Sequence, residues 1–206
     1  MQQTKYDEVI KANIALHSKM ADDYSTCEPH FRPENINKVE KKLKTIFEEL
    51  KAERLLDLGC GTGFIINIAK KYVKQIDGVD VTQAMMDKVD KTGSAIINLY
   101  NHDTGSFPAK PSFYDVVTGY SFLHHLYDIN PTLKTAYAAL KPGENYIAIL
   151  TRIIIIGKAF INLTGRAIMI PLLNVKSKWL LTKMKTLKKT LVYRKMFSTP
   201  QSLGKI

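Results

Sequence analysis

The stretch Leu55-Leu56-Asp57-Leu58-Gly59-Cys60-Gly61-Thr62-Gly63 decides the fold of this chain. Its first four residues, three of them leucine, are typical of a short buried strand. Glycine then stands at every second position, and a helical pattern begins at Phe64. Glycine adopts positive φ and lets a ligand approach the backbone closely, and a helix N-terminus presents unpaired N–H groups. The stretch therefore predicts a seat for a nucleotide-like ligand at the end of a strand.

Strands and helices are predicted to alternate around this stretch. Strands are predicted at 54–58, 75–80, 95–100, 114–119 and 145–150, and helices at 64–72, 82–91 and 131–140. This alternation predicts an α/β fold, a doubly wound, mostly parallel sheet in three α/β/α layers. Ahead of the sheet, residues 6–24 and those from Pro33 onward carry apolar side chains at helical spacing. Residues 1–53 are therefore predicted to be helical.

Two other nucleotide sites fit the glycine spacing poorly. The dinucleotide fingerprint needs glycine at its first, third and sixth positions. Counted from Gly59 the sixth residue is Phe64, and counted from Gly61 it is Ile66. A phosphate-binding loop needs a lysine after its glycines, and no lysine stands at that offset. Both sites are excluded.

The residues resemble the ordered motifs of the class I S-adenosylmethionine-dependent methyltransferases of the small-molecule type. The first motif of that family is similar to Asp57–Gly63, and four more follow in the family's order. They are Gly78–Val81 with Met85 and Met86, Asn101–Asp103, Tyr114–Leu126, and Leu140–Gly143. The resemblance implies a Rossmann-like domain at 54–151 that binds S-adenosyl-L-methionine, with 1–53 as a helical lid.

The resemblance also implies roles for individual residues. Asp80 would accept hydrogen bonds from the two ribose hydroxyls, and Asp103 would read the adenine amino group between the walls Val81 and Met85. Asp57 would hold the loop and reach toward the ammonium group of the cofactor. The backbone of the loop would face the methionine part through Gly59, Cys60, Gly61 and Gly63.

The sulfonium end of the cofactor is expected next to the fourth strand. Tyr120 and Ser121 follow that strand and would line this end. Tyr24 resembles the tyrosine of the lid in many relatives, and an ordinary core aromatic is the equal alternative.

His124 and His125 are the candidate catalytic residues, because an imidazole titrates near neutral pH and can serve as a general base. As neighbours in the chain they are expected to point apart, so that only one faces the site. Packing or loop hydrogen bonding is the alternative role. Neither Cys27 nor Cys60 has metal-ligand spacing to a histidine, so no metal is predicted.

The charge of the chain is unevenly distributed. Residues 151–206 hold 12 of the 30 Lys and Arg residues and no Asp or Glu, so the net charge of +11 comes from this segment. Three interpretations stay open for the basic tail, 176–206. It is a solvated lid helix, a membrane-surface helix with Trp179 facing lipid, or a binding segment for RNA or another polyanion.

The family's last two strands, an antiparallel hairpin, are not found after 150, so this hairpin is predicted to be missing or diverged within the basic segment 152–206.

The predicted function is methyl transfer to an O or N atom of a small molecule. The alternatives are a non-catalytic or membrane-associated binding protein with this fold, or an RNA-directed methyltransferase that uses the basic tail.

Residues 1–8 lack the apolar run of a signal peptide, and no uninterrupted run of about 18–20 apolar residues exists. The expected location is the cytoplasm, with a membrane surface as the alternative.

Overall fold

The computed structural model describes residues 2–142, 146–150, 160–161 and 167–168. Five parallel strands form its main sheet, in the order β3-β2-β1-β4-β5. The strands are β1 (Arg54–Leu58), β2 (Gln75–Asp80), β3 (Ile96–Asn101), β4 (Val116–Tyr120) and β5 (Tyr146–Leu150). The helices are α1 (Gln2–Met20), α2 (Tyr24–Cys27), α3 (Pro33–Leu50), α4 (Phe64–Ala69), α5 (Gln83–Met86) and α6 (Asn130–Ala139). Single 3₁₀ turns lie at Pro29–Phe31 and Leu123–His125.

The strand order reverses beside β1, which pairs with β2 on one side and β4 on the other. Ligands of doubly wound sheets bind at such a switch point, outside the carboxyl ends of the strands. The glycine stretch leaves β1 at this place. The sheet therefore puts the predicted ligand seat where the topology opens a crevice.

A separate core covers each face of the sheet. On one face, helices α3 and α4 bury Leu43, Phe47 and Ile66 against the strands. On the other face, α6 and the β3–β4 loop bury Ala136, Tyr114 and Phe107. The predicted three-layer, doubly wound α/β fold is confirmed.

Two predicted helices are shorter in the structure. The one predicted for 82–91 ends at Met86, and the one predicted for 64–72 ends at Ala69. Val89 leaves the helix to pack in the core against Gly63, and the Asp90 carboxylate accepts hydrogen bonds from the Thr92 N–H and the Lys70 ammonium group. Such side-chain bonds compete with helical ones. The N-terminal helix breaks at Met20, before the short α2.

The last described elements are two-residue strands, Phe160–Ile161 (β6) and Ala167–Ile168 (β7), which pair antiparallel in a sheet of their own. The prediction of a missing or diverged hairpin and the interpretations of the basic tail otherwise lie outside the described residues. Within the described ranges, no helix is long and apolar enough to cross a membrane.

Candidate functional site

The glycine stretch is attached to the end of β2 by main-chain hydrogen bonds. The Gly59 and Cys60 N–H groups both donate to the Val79 carbonyl, at 2.8 and 3.1 Å. The Gly61 N–H donates to the Asp80 carboxylate at 2.9 Å. The loop and the acid at the end of β2 therefore form one hydrogen-bonded unit.

Asp80 is the last residue of β2 and lies beside the loop that follows β1. One carboxylate oxygen accepts from Gly61 and the other from the Thr82 N–H at 2.8 Å. Thr82 precedes α5, and its side chain makes no capping bond. Burial raises the pKa of Asp80, while both N–H donors and the nearby His17 oppose that rise. The position suits a carboxylate that binds hydroxyl groups.

Asp57 lies behind the loop instead of in the open site. Its carboxylate is 1% exposed and accepts a 2.8 Å hydrogen bond from the Thr118 hydroxyl. Burial raises the pKa of Asp57 to about 7. Burial likewise raises the pKa of the Cys60 thiol well above its usual value. The described contacts hold the loop, whereas the reach of Asp57 to an ammonium group stays a prediction.

A pocket of about 100 Å³ opens at these strand ends. We call it the strand-end pocket. It brings together ten residues that the sequence singled out: Tyr24, Gly59, Gly61, Asp80, Val81, Met85, Asp103, Tyr120, Ser121 and His125. The four other predicted residues lie outside its lining: Asp57, Cys60, Gly63 and His124. Their binding or catalytic roles remain predictions.

Phe122 fills the space between two glycines. A Cβ atom on Gly59 would lie 2.3 Å from the Phe122 ring, and one on Gly119 would lie 2.5 Å from it. Ser121 turns the chain with φ of +54°, a strained value for a residue other than glycine. Sequence reasoning missed Phe122. The only local signal is a glycine three residues before an aromatic side chain, which is weak.

Helix α1 supplies the opposite side of the pocket, which sequence reasoning had placed only in general terms. One face of the helix lines it, through Tyr6, Val9, Ile10, Asn13 and His17. The Tyr6 hydroxyl hydrogen-bonds the Asp103 carboxylate and, with burial, this raises the pKa of Tyr6. The Asn13 amide donates to the His125 carbonyl at 2.9 Å. The helical spacing of these residues was the signal that could have identified them.

The two adjacent histidines do not point apart, so that part of the prediction was wrong, but only His125 lines the pocket, as expected. Their ring centroids lie 3.9 Å apart, and His17 meets His125 edge to face at 4.8 Å. The chain makes a 3₁₀ turn here, so neighbouring side chains diverge by only about 120°, and both rings pack near His17. Burial and the neighbouring histidines lower the pKa of His125 to about 4, and burial also lowers the pKa of His124. At neutral pH His125 is therefore uncharged.

A family model and several known proteins are similar to this chain. The methyltransferase domain family matches residues 56–148, from β1 through β5. In this range the chain is similar to a methyltransferase domain. Its matched range contains the glycine loop, Asp80, Asp103 and the Ser121–His125 turn.

Curated relatives of this chain include ubiquinone biosynthesis O-methyltransferases. That of Coxiella burnetii is 27% identical over 139 residues, which are 65% of this chain and 58% of the relative. That of Saccharophagus degradans is 28% identical over 140 residues, 66% of this chain and 59% of the relative. The chain thus spans under two thirds of the length of these relatives.

Two solved structures share the fold of this chain. DhpI, solved as a complex with SAH, covers 87% of this chain with a TM-score of 0.63 and 15% identity, and 86% of its own length is matched. Phosphoethanolamine N-methyltransferase 1 of Haemonchus contortus covers 70% of this chain with a TM-score of 0.52 and 14% identity, and 32% of its own length is matched. At these identities the likeness concerns the fold.

Proposed function

We propose that the chain binds S-adenosyl-L-methionine and transfers its methyl group to a hydroxyl oxygen of a small molecule. The observation that carries this proposal is the strand-end pocket, which joins the glycine loop, two strand-end carboxylates and the Ser121–His125 turn. Bound there, the cofactor supplies an electrophilic methyl group on a sulfonium. The names of the curated relatives favour oxygen over nitrogen as the acceptor.

The residues at the pocket fit the cofactor. The Asp80 carboxylate, already held by two backbone donors, has lone pairs left for ribose hydroxyls. Asp103 follows β3 and lines the same pocket, at the position where the adenine amino group is expected. A Cβ atom added at Gly61 would meet only the Met85 methyl group, at 3.6 Å. The space beside the Gly61 backbone is therefore open to a ligand. Tyr24 and Tyr120 supply aromatic faces of the kind that attract cations.

Helix α1 is proposed to act as a lid. Pockets that bind small molecules and cofactors have volumes of roughly 300–1,000 Å³. The volume of the strand-end pocket is about 100 Å³, too small for S-adenosyl-L-methionine. The Tyr6 hydroxyl also occupies Asp103, the carboxylate assigned to adenine. Cofactor entry therefore requires α1 to move outward. Its return would exclude water from the bound reactants.

The acceptor is expected beside His125. The neutral ring of His125 lines the pocket and can accept a hydrogen bond from a hydroxyl group. A pKa of about 4 makes His125 a weak base at neutral pH, so we assign it to orienting the acceptor rather than to full proton removal. Methyl transfer needs mainly orientation and exclusion of water. No Lys or Arg is among the described residues that line the pocket, which argues against an anionic acceptor.

Calorimetry and a turnover assay test the proposal. S-adenosylmethionine is expected to bind the wild type, and Asp80→Ala is expected to weaken binding by at least about 100-fold, because it removes a charge-assisted pair of contacts. Asp87→Ala, an exposed acid on the adjoining turn, is the matched control. Phenols and amines are then tested for methylation by the release of S-adenosylhomocysteine. Equal binding by wild type and Asp80→Ala would contradict the proposed site, and binding without turnover of any acceptor would favour a non-catalytic binding protein.

A second proposal concerns the basic tail and the location of the protein. The absence of acidic residues among 12 basic ones after residue 150 supports attachment of a cytoplasmic protein to an anionic membrane surface. Vesicles with and without anionic lipid test this in a pelleting assay. The variant replaces four tail lysines by glutamine, at Lys183, Lys185, Lys188 and Lys189. The control replaces four exposed lysines before residue 150, at Lys11, Lys38, Lys41 and Lys91. Equal pelleting of the two variants would remove the membrane proposal, and retention of RNA by the wild type alone would favour a nucleic-acid partner.

A further inference from the structure

Asn35 joins the first turn of α3 to the end of β4. Its side-chain amide donates to the Tyr120 hydroxyl at 2.9 Å and to the His30 carbonyl, also at 2.9 Å. Asn35 and Tyr120 are 85 residues apart in the chain. The contact therefore ties the helical N-terminal region to a strand that ends in the strand-end pocket.

The ring of Tyr120 forms part of the pocket wall. It packs on Phe64 with ring centroids 4.6 Å apart and meets His30 at 5.4 Å. These rings support it from the side of the core, while Tyr120 itself lines the pocket. A hydrogen bond to its hydroxyl therefore sets the height and tilt of an aromatic surface that faces the ligand.

The surroundings of Tyr120 concern the cofactor end of the pocket. Burial raises the pKa of Tyr24 to about 12, and Asp80 and Tyr120 contribute to this rise through their proximity. The rings of Tyr24 and Tyr120 both pack on His30, with centroid distances of 5.7 and 5.4 Å, and both line the pocket together with Asp80. A displaced Tyr120 ring would disturb the wall beside the carboxylate assigned to the ribose.

Packing alone does not require an amide at position 35. The buried stripe of α3 is apolar, with Val39, Leu43 and Phe47 in the core, and Asn35 is half-buried at its margin. An apolar residue would fill the same margin without the cost of desolvating an amide. What the amide adds is a donor to the His30 carbonyl, within the same N-terminal region, and a donor aimed at the Tyr120 hydroxyl.

We propose that Asn35 is a positioning residue, which acts through its hydrogen bond to Tyr120 to hold that ring against the cofactor. The inference rests on the proposed function and adds to it a residue outside the pocket lining. A hydrogen bond of this kind contributes about a 2- to 12-fold effect. Loss of the bond is expected to change cofactor affinity more than it changes folding.

A double-mutant cycle tests the proposal. Asn35→Ala, Tyr120→Phe and the double variant are titrated with S-adenosylmethionine by calorimetry. Asn35→Ala is expected to weaken binding about 5-fold in the wild-type background and by less than about 2-fold in Tyr120→Phe, where the hydroxyl is absent. Asn37→Ala, an exposed amide on the same helix, is the matched control and is expected to bind as the wild type. Thermal unfolding of each variant separates affinity from stability.

Two results would overturn the proposal. One is a loss of affinity in Asn35→Ala that is equal with and without the Tyr120 hydroxyl, and the other is no loss at all. The ¹³Cζ chemical shift of Tyr120 gives a readout that does not need the cofactor. It is expected to move in Asn35→Ala and not in Asn37→Ala. If the wild type fails to bind S-adenosylmethionine while the Tyr120 shift moves in Asn35→Ala, the proposed function is contradicted but the link between Asn35 and Tyr120 is kept. An unmoved Tyr120 shift in Asn35→Ala would contradict that link.

Discussion

The strand-end pocket has two walls that are built differently. The strand-end wall, made of the loop 59–63, Asp80 and Tyr120, is held by main-chain hydrogen bonds such as those from Gly59 and Cys60 to the Val79 carbonyl. The helix wall, made of residues 6–17 of α1, is held to it by side-chain contacts. Tyr6 bonds Asp103, Asn13 bonds the His125 carbonyl, and His17 packs on His125.

This difference indicates which wall can move. Opening the strand-end wall would break buried bonds that the folded sheet depends on, so it opens only when the domain unfolds. Opening the helix wall exposes a few side-chain bonds to water, which replaces them at small net cost. Substitutions in the first wall should therefore change folding and binding together. Those in the second should mainly change binding, in either direction.

The largest effect is expected from Gly59→Ala. The new Cβ would lie 2.3 Å from the Phe122 ring, at φ of +72°. Overpacking and the left-handed backbone together should lower the free energy of unfolding by about 2–5 kcal/mol, as measured by urea denaturation. Gly93→Ala is the control, because Gly93 has φ of +117° but nothing within 4 Å. If both variants lose a similar unfolding free energy, backbone strain and not the clash with the Phe122 ring accounts for the effect.

Asp57, behind the glycine loop, and His125, which packs against α1, should contribute to the pH dependence of stability in opposite directions. Folded Asp57 keeps its proton up to about pH 7, while the unfolded chain releases it near pH 3.8. The unfolding free energy therefore falls as pH rises between these values, by up to about 1.4 kcal/mol per pH unit. Folded His125 loses its proton near pH 4, against 6.5 when unfolded, so its contribution rises with pH in that window.

Two variants separate these contributions. Asp57→Asn keeps an acceptor for Thr118 and should make the slope of unfolding free energy against pH more positive between about pH 4 and 6.5 than in the wild type. His125→Gln should make this slope more negative. Denaturant titrations across this range measure both slopes, with Asp87→Asn as an exposed control. Unchanged slopes in both variants would contradict the assigned pKa shifts.

Tyr6→Phe is expected to bind S-adenosylmethionine more tightly than the wild type, by about 2- to 10-fold. The reason is that the helix wall loses its bond to Asp103, so less free energy opposes the movement of α1. Calorimetry measures the change. Tyr72→Phe, which removes a hydroxyl bond to Glu40 away from the pocket, is the control. Weaker binding in Tyr6→Phe would mean that Tyr6 contacts the cofactor instead of competing with it.

The smallest effect is expected from Asp22→Ala. Asp22 follows α1 and pairs with Lys88 at 2.5 Å, but its side chain is 85% exposed. Exposed ion pairs contribute little and are screened by salt, so cofactor affinity should change by less than about 2-fold. Titration at low and high salt checks this. A change as large as that of Tyr6→Phe would show that surface charge, and not the Tyr6 bond, holds the helix wall.

Local pattern was a reliable guide where the chemistry is local. The glycine loop, the strand that ends on Asp80 and the acid after β3 could all be placed, because a strand period, a glycine run and a following helix are set by neighbouring residues. Helix ends were less predictable. Val89 left its helix for a core position beside Gly63, a preference that depends on a segment far away in the chain.

The sequence by itself determined the doubly wound sheet and the strand-end wall of the pocket, since both follow from side-chain periodicity and from glycine at fixed places. Only the tertiary structure decided how that pocket is closed. The Phe122 ring between two glycines, the three histidines that pack together and the bond from Asn35 to Tyr120 each join segments distant in the chain. Such contacts depend on packing in three dimensions, which no periodicity along the chain encodes.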